Sequence, residues 1–306
     1  MIGNSRRITI AIVGVAVCIA GALAIAKWRE AKFFDRAMLL SRFPAEEATI
    51  FSADFSLLRR VGLLENTKIA LEPEYKQFLE GTGFDYRSDL DQVIATFSKS
   101  GNFFIARGRF NWPKLREYVA KSGGSCYQDL CRMQGSAPER RISFLPLREN
   151  AIALAVSTDD LAANRLTNTG EPVRAQFPGA PVWMSIPGDA FRQPDALPPG
   201  LRIMLSALTN AERVVLTLDG TMQGAQLKPE LHMEARCRTT DSARILESQL
   251  KTATGLLKEA GARGDEVAKD ELAQALMAGT FALDKSTVNG KWPVKKGLLD
   301  SLTAGM

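Results

Sequence analysis

Residues 8–26, ITIAIVGVAVCIAGALAIA, constrain this chain more than any other stretch: nineteen residues with no charge, no proline and no strongly polar side chain. A helix of about 20 residues spans a hydrocarbon core roughly 30 Å thick. In lipid, a single spanning segment satisfies its own N–H and C=O groups only when helical. Arg6 and Arg7 flank one end, Lys27 and Arg29 the other, and Trp28 stands where an interfacial aromatic belongs. The run predicts a single-pass anchor. Two other readings stay open. One is a cleaved signal peptide, because Ala22, Ala24 and Ala26 offer an A-x-A-like site. The other is a buried core helix.

The charge distribution fits an anchor. The chain carries 39 basic and 34 acidic residues, a net of +5. Residues 1–42 hold seven of the basic side chains and two of the acidic ones, so the whole excess lies beside the hydrophobic run. Anionic headgroups would meet it there. The rest of the chain balances at 32 of each sign, which argues against nucleic acid as a partner. The flanking charges do not fix the orientation by themselves. A basic tail, a hydrophobic run and then a folded body is the order of an exported protein. The expectation is a single-pass protein of the bacterial inner membrane, with a periplasmic body.

The cysteines point the same way. Of Cys18, Cys126, Cys131 and Cys237, the middle two lie five apart in GGSCYQDLCRMQG. A turn over YQDL would let Cys126 and Cys131 close a local disulfide, which suits an oxidising compartment. The other reading is two half-buried thiols on a strand. Zinc needs about four ligands, and one C-x4-C pair with a distant cysteine and the lone His232 is poor material for it.

Beyond the anchor, residues 27–43 read as a juxtamembrane helix stopped by Pro44. The body then runs strand 48–54, helix 55–64, helix 73–83, strand 90–100, strand 103–110 and helix 111–123, followed by strands near 125–133, 141–147 and 151–157. A second half follows a similar order: strand 180–187, helix 198–210, strand 211–220, strand 227–237, helix 239–261, helix 265–277 and a closing hairpin over 276–294. In the helix at 239–261, Ala243, Leu246, Leu250, Ala253, Leu257 and Ala260 recur at intervals of three and four. Ala106-Arg107-Gly108-Arg109 aligns with Ala235-Arg236-Cys237-Arg238 at the matching place in each half. The predicted fold is α+β: an N-terminal transmembrane helix (1–43 with its juxtamembrane helix), then two similar ferredoxin-like, split βαβ halves at 44–170 and 171–306 with antiparallel-rich sheets. A single mixed α+β domain is the alternative.

Chemistry is sparse. His232 is the one histidine, and alternation along LKPELHMEARC puts it with Glu234 and Arg236 on a half-solvated sheet face. Asp85, Asp89 and Asp91 crowd one short segment but lack the spacing of a calcium loop, so they read as turn and cap residues. No nucleophile elbow or phosphate-loop glycine pattern is present, and Ser52 and Ser185 sit on strands with no adjacent histidine. No catalytic, metal or cofactor residue is therefore assigned. Arg107 and Arg109, with Arg236 and Arg238, make a candidate polar binding face, or pair with neighbouring acids.

Over Pro44–Leu58 and Arg107–Tyr118 the chain resembles uncharacterised bacterial membrane-anchored proteins with an exported, duplicated α+β body. The pattern is Pro, small, acidic, strand, Asp and short helix, then strand, Gly-Arg-Phe and helix. The resemblance implies architecture and export, with no catalytic residues to carry over. The leading functional expectation is a non-catalytic envelope protein that acts as an interaction or accessory module for another envelope or membrane protein. An envelope hydrolase using Ser, Lys or carboxylates, and a small-ligand or lipid-binding module, are the alternatives.

Overall fold

The computed structural model describes residues 35–44, 47–62, 64, 73–135, 137–170, 177–192, 206–223, 226–263 and 271–294. Two units are distinguished: Met1–Pro44 with Asn168–Phe177, and Ala45–Thr167 with Pro178–Met306.

In the first unit, helix α1 covers Arg36–Leu40. Asp35 is its cap: in extended conformation, its carboxylate accepts from Ala37 N and Met38 N at 3.1 and 3.2 Å. Of the juxtamembrane helix expected over 27–43, the described part begins at the Asp35 cap and ends at Leu40, and residues 27–34 lie outside the described residues. Gly170 N donates to Ser41 O at 2.9 Å within this unit.

The second unit is built on one antiparallel sheet of twelve strands. The first seven are β1 (Thr49–Asp54), β2 (Leu90–Ser98), β3 (Gly101–Gly108), β4 (Ser125–Tyr127), β5 (Leu130–Gln134), β6 (Arg141–Arg148) and β7 (Ala151–Ser157). The others are β8 (Val182–Pro187), β9 (Arg213–Gln223), β10 (Gln226–Arg236), β11 (Thr280–Asp284) and β12 (Thr287–Pro293). Their order across the sheet is β11-β12-β10-β9-β8-β1-β2-β3-β7-β6-β5-β4.

This differs from the split βαβ arrangement expected from the sequence. Helices α2 (Phe55–Arg60), α3 (Pro73–Thr82) and α4 (Tyr86–Asp89) connect β1 to β2, yet these strands are adjacent and antiparallel. The connection returns the chain beside β1 in the opposite direction, whereas a crossover helix would leave the strands parallel. The two halves also share a sheet, because β1 pairs with β8 through Ile50↔Ser185 to Ala53↔Val182.

Outward from the β1–β8 pair, the order reads alike in both directions: β1-β2-β3-β7-β6 on one side and β8-β9-β10-β12-β11 on the other. Arg107 pairs with Ala151, and Arg236 with Thr287. Both closing hairpins turn through two residues, Arg148↔Ala151 and Asp284↔Thr287. Among the described residues the β4–β5 hairpin has no counterpart.

Helix α5 (Trp112–Lys121) follows β3, and α6 (Thr240–Arg263) follows β10. Asn111 caps α5 by accepting from Lys114 N at 3.2 Å, with Pro113 in the first turn. Gly123, at φ +74°, ends it in the left-handed region that glycine tolerates. Leu115 and Val119 of α5 pack on Phe144, Ile152 and Cys131. Ala243, Leu246, Leu250 and Ala253 of α6 pack on Val214, Met233, Ala235 and Val288. Helix α7 (Glu271–Met277) adds Leu276 to that cluster.

The opposite face differs between the halves. Near β3 it carries the buried Phe103, Ile105, Ala153 and Ala155, and the 3-10 turn Ala162–Thr167 bonds to it where Ala163 N meets Ser143 Oγ at 3.1 Å. Across β9, β10 and β12 the same face carries Thr217, His232 and Lys291, all at least partly exposed.

Cys126 and Cys131 face each other across the β4–β5 pair and form a disulfide. Cys131 is buried in the α5 cluster, so the bridge ties an edge hairpin to the core. A loop this short gives about 2 kcal/mol by chain entropy. Replacing both cysteines with alanine is expected to lower stability by about that amount in denaturant titrations. Peptide mapping without reductant is expected to recover the two cysteines linked.

Among the described residues no helix is long and apolar enough to cross a membrane. The anchor expected at residues 8–26 lies outside the described residues, as do residues 193–205, 264–270 and the helix expected from Lys295.

Candidate functional site

The end of β3 brings together more chemistry than any single sequence motif suggested. Gly108 is the last residue of the strand, and a Cβ there would run into the Asp89 carbonyl oxygen. Its N–H donates to Asn150 O at 3.0 Å, and Arg109 N donates to Asp89 O at 2.8 Å. The chain is therefore held between the residue before β2 and the residue before β7. The Arg109 side chain then turns onto Asp89, with Nη2 at 3.0 Å from Oδ1 and 2.6 Å from Ser88 O.

Asp89, Arg109, Phe110, Trp112, Lys114 and Glu149 line a cleft of about 640 Å³ at this point. Trp112 is fixed by its indole N–H, which donates to Glu149 O at 2.9 Å. Phe110 stacks on Phe84 at 5.3 Å and tilts against Trp112 at 5.6 Å. Among the described residues neither the Lys114 ammonium nor the Glu149 carboxylate forms an ion pair. Lys114 Nζ lies beside Gly83, just past the C-terminus of α3, where the helix dipole favours a cation. The cleft thus holds both signs of charge beside aromatic side chains.

The three aspartates of one segment are parted by arginines. Asp85 pairs with Arg87 at 2.7 Å, Asp89 with Arg109 at 3.0 Å, and Asp91 with Arg59 at 2.7 Å. Asp85 also caps α4. Among the described residues no group of three or more His, Cys, Asp or Glu side chains could hold a metal ion. The Arg87 guanidinium beside Asp85 holds that carboxyl below its ordinary value, burial opposing the shift only in part. A depressed carboxylate pKa contributes stability above the ordinary value, and the contribution is lost as pH falls through the lower folded value. Asp85→Asn is therefore expected to be less stable than the parent protein at neutral pH and to converge with it as pH falls through the lowered Asp85 value, in denaturation followed against pH.

The four arginines do not form one face. Arg107 lies on β3 on the Phe103 and Ile105 side, whereas Arg109 stands beyond the strand in the cleft. Arg236 bonds to Glu234 at 3.3 Å, and Arg238 to Glu212 at 3.0 Å. Strands β3 and β10 are five strands apart in the sheet, roughly 24 Å at the usual spacing. Arg109 and Arg238 do occupy matching places: each follows its strand and pairs with the acid just before the neighbouring strand, Asp89 before β2 and Glu212 before β9.

His232 lies on the half-open face with Glu234 and Arg236, as alternation predicts, and its Nε2 is 2.8 Å from Glu230 Oε2. Ser52 and Ser185 are buried on β1 and β8, and Ser185 Oγ accepts from Arg213 at 3.0 Å. Cys237 is buried at the position matching Gly108, and burial pushes its thiol pKa up. Sequence reasoning did not single out Lys114, Glu149 or Asn150 as site residues. The three-residue gap between strands 141–147 and 151–157 signals a turn at Arg148–Asn150, but only the strand order carries it next to α5.

The structure defines a mixed α+β chain built on a large antiparallel sheet. No family model and no curated protein matches the chain. Among solved structures, crystal forms I and III of TP0453 match at 10% and 9% identity, each with a TM-score of 0.48. Each match covers 87% of this chain, with 97% and 98% of the other chain covered.

Proposed function

We propose that this chain is a membrane-anchored, non-catalytic envelope protein whose body binds another envelope or membrane protein through the cleft at Arg109. The observation that carries the reading is the pairing of unlike groups there. Lys114 and Glu149 offer opposite charges without ion-pair partners among the described residues, beside Trp112 and Arg109. Trp and Arg are enriched among residues that dominate binding energy. The Arg109–Asp89 pair is solvent-exposed on the arginine side, at 73%, so it adds little to stability and its arginine is easily redirected to a partner.

In this reading residues 8–26 are the anchor, and the body is periplasmic at the inner membrane. The disulfide and the basic juxtamembrane flank support that placement. We read the body as two copies of one unit, at 44–170 and 171–306. The matching strand orders, the two-residue closing hairpins and the paired ion pairs at Arg109 and Arg238 support this. The β4–β5 hairpin is then an insertion in the first copy.

Purification in mild detergent tests the reading. The expected result is a second protein at fixed stoichiometry, lost from the double variant Arg109→Glu, Lys114→Glu while the variant stays folded. A protein that purifies alone and monomeric contradicts it. A small ligand is the second reading, favoured by a cleft volume within the usual range for such sites. Native mass spectrometry showing a bound small molecule, released by the same variant, would favour that reading over a protein partner.

A further inference from the structure

The edge of a sheet leaves a row of backbone N–H and C=O groups without a neighbouring strand, and natural edges are blunted by shortness, proline, lysine or a bulge. The β4 edge is blunted, since it has three residues and is pinned to β5 by the Cys126–Cys131 bridge. The opposite edge, β11, differs. Its five residues, Thr280-Phe281-Ala282-Leu283-Asp284, include no proline and no lysine, and their register with β12 runs continuously from Thr280↔Lys291 to Asp284↔Thr287.

Backbone geometry says which groups are open. The pair that closes a two-residue turn, Asp284↔Thr287, is hydrogen-bonded, and the pairs alternate from there. Thr280, Ala282 and Asp284 therefore direct their backbone groups at β12, while Phe281 and Leu283 point theirs out of the sheet. The side chains of these two residues pack against the α6 cluster. There the apolar layer is unfinished. Val288 and Gly290 on β12 are buried, whereas Leu283 and Phe281, paired with them, are only half-buried. Helix α6 does not close the gap, because a groove of about 340 Å³ remains between it and Gly279, Thr280 and Phe281. One more strand would supply both the backbone partners and the apolar cover.

The strand is complementary to itself. Antiparallel pairing about a two-fold at Ala282 is the register that overlaps all five residues. It sets Phe281 against Leu283 of a second copy, joins their outward groups in hydrogen-bonded pairs, and brings apolar side chains together on the α6 side. On the other face it sets Thr280 against Asp284 of the second copy. Asp284 is the one charge in the strand, so no like charges meet there and a hydroxyl faces a carboxylate. A two-fold contact of this kind closes on itself and does not propagate.

We propose that the β11 edge pairs with β11 of a second copy of this chain, antiparallel about Ala282, so that one sheet runs continuously across a dimer. This surface is independent of the Arg109 cleft. A joint of one five-residue strand is small against the roughly 800 Å² per partner of a stable soluble complex, so the dimer is weak and is best detected by trapping.

Disulfide trapping of the purified full chain in mild detergent tests the proposal, in a Cys18→Ser background so that the remaining cysteines are bridged or buried. Ala282 meets its own copy in a non-hydrogen-bonded pair, whose Cα atoms lie about 4.5 Å apart, within disulfide reach. Ala282→Cys is therefore expected to give a disulfide-linked homodimer under mild oxidation. Asp284→Cys alone is expected to give none, because the two copies of that position stand roughly 13 Å apart along the strands. Mixed with Thr280→Cys, it is expected to link. Adding Ala282→Lys to the mixed pair sets two ammonium groups opposite each other at the two-fold and is expected to abolish that link. Ala282 is exposed, so Ala282→Lys should unfold at the parent midpoint, which separates lost pairing from lost folding. No linked dimer from Ala282→Cys, an equal yield from Asp284→Cys alone, or a mixed link that survives Ala282→Lys overturns the proposal.

Discussion

Removing residues 1–34 is expected to move the protein entirely from the membrane pellet to the supernatant after cell breakage, while the intact chain needs detergent for release. The reason is a solvation cost. Each Ile, Val or Leu side chain left in water forgoes about 1.5–3 kcal/mol, and residues 8–26 contain a long series of them without one charge. No balance of exposed charge elsewhere offsets a cost of that size. The flanking arginines and lysines add roughly 1 kcal/mol each at an anionic surface, which is secondary to the apolar run. Fractionation in low and high salt separates the two contributions. Retention of the intact chain in the pellet at 1 M salt supports the apolar anchor, and its release by salt alone contradicts it.

The second large effect lies in the α6 core. Leu250→Ala is expected to cost about 3–4 kcal/mol, from lost burial and the cavity left behind. For a body of this size that is a fall of roughly 8–12 °C in unfolding midpoint. Leu250 is 1% exposed and packs in the cluster that joins α6 to β9, β10 and β12. Ile245 on the same helix is 55% exposed, and Ile245→Ala is expected to change stability by less than about 0.5 kcal/mol. The contrast tests which face of α6 is buried, independently of how well either variant expresses. Because β1 and β8 are hydrogen-bonded neighbours in one sheet, the Leu250 variant should still unfold in a single transition by circular dichroism. Separate transitions for the two halves would show that the β1–β8 pair does not couple them.

Local features were readable from the sequence wherever a local rule governs them. Asp and Asn are preferred helix caps, and Asp54 caps α2 by accepting from Leu57 N at 2.8 Å while Asn111 caps α5. Ala243, Leu246, Leu250, Ala253 and Leu257 are buried along α6 because a 3.6-residue period leaves one stripe facing the sheet. The strand alternation around His232 holds for the same reason, with period two.

Strand order was not readable, because it depends on how connections return. The segment between β1 and β2 is rich in helix, which on paper suits a crossover. The connection returns antiparallel instead, and the strands end as neighbours. The cleft was only half legible for the same reason. Arg109, Asn111 and Trp112 lie close in sequence, but Asp89 and Glu149 reach them through the pairing of β3 with β2 and β7. The four arginines look alike in sequence and part ways in space, since two of them stand on strands and two just beyond strand ends.

Photo-crosslinking in intact membranes probes binding at the Arg109 cleft, with a benzophenone side chain at Lys114 and a control at Ile245. Binding through the Arg109 cleft predicts one discrete adduct from position 114, abolished by Arg109→Glu and absent from position 245. No adduct from position 114, or equal labelling at both positions regardless of Arg109, would contradict it.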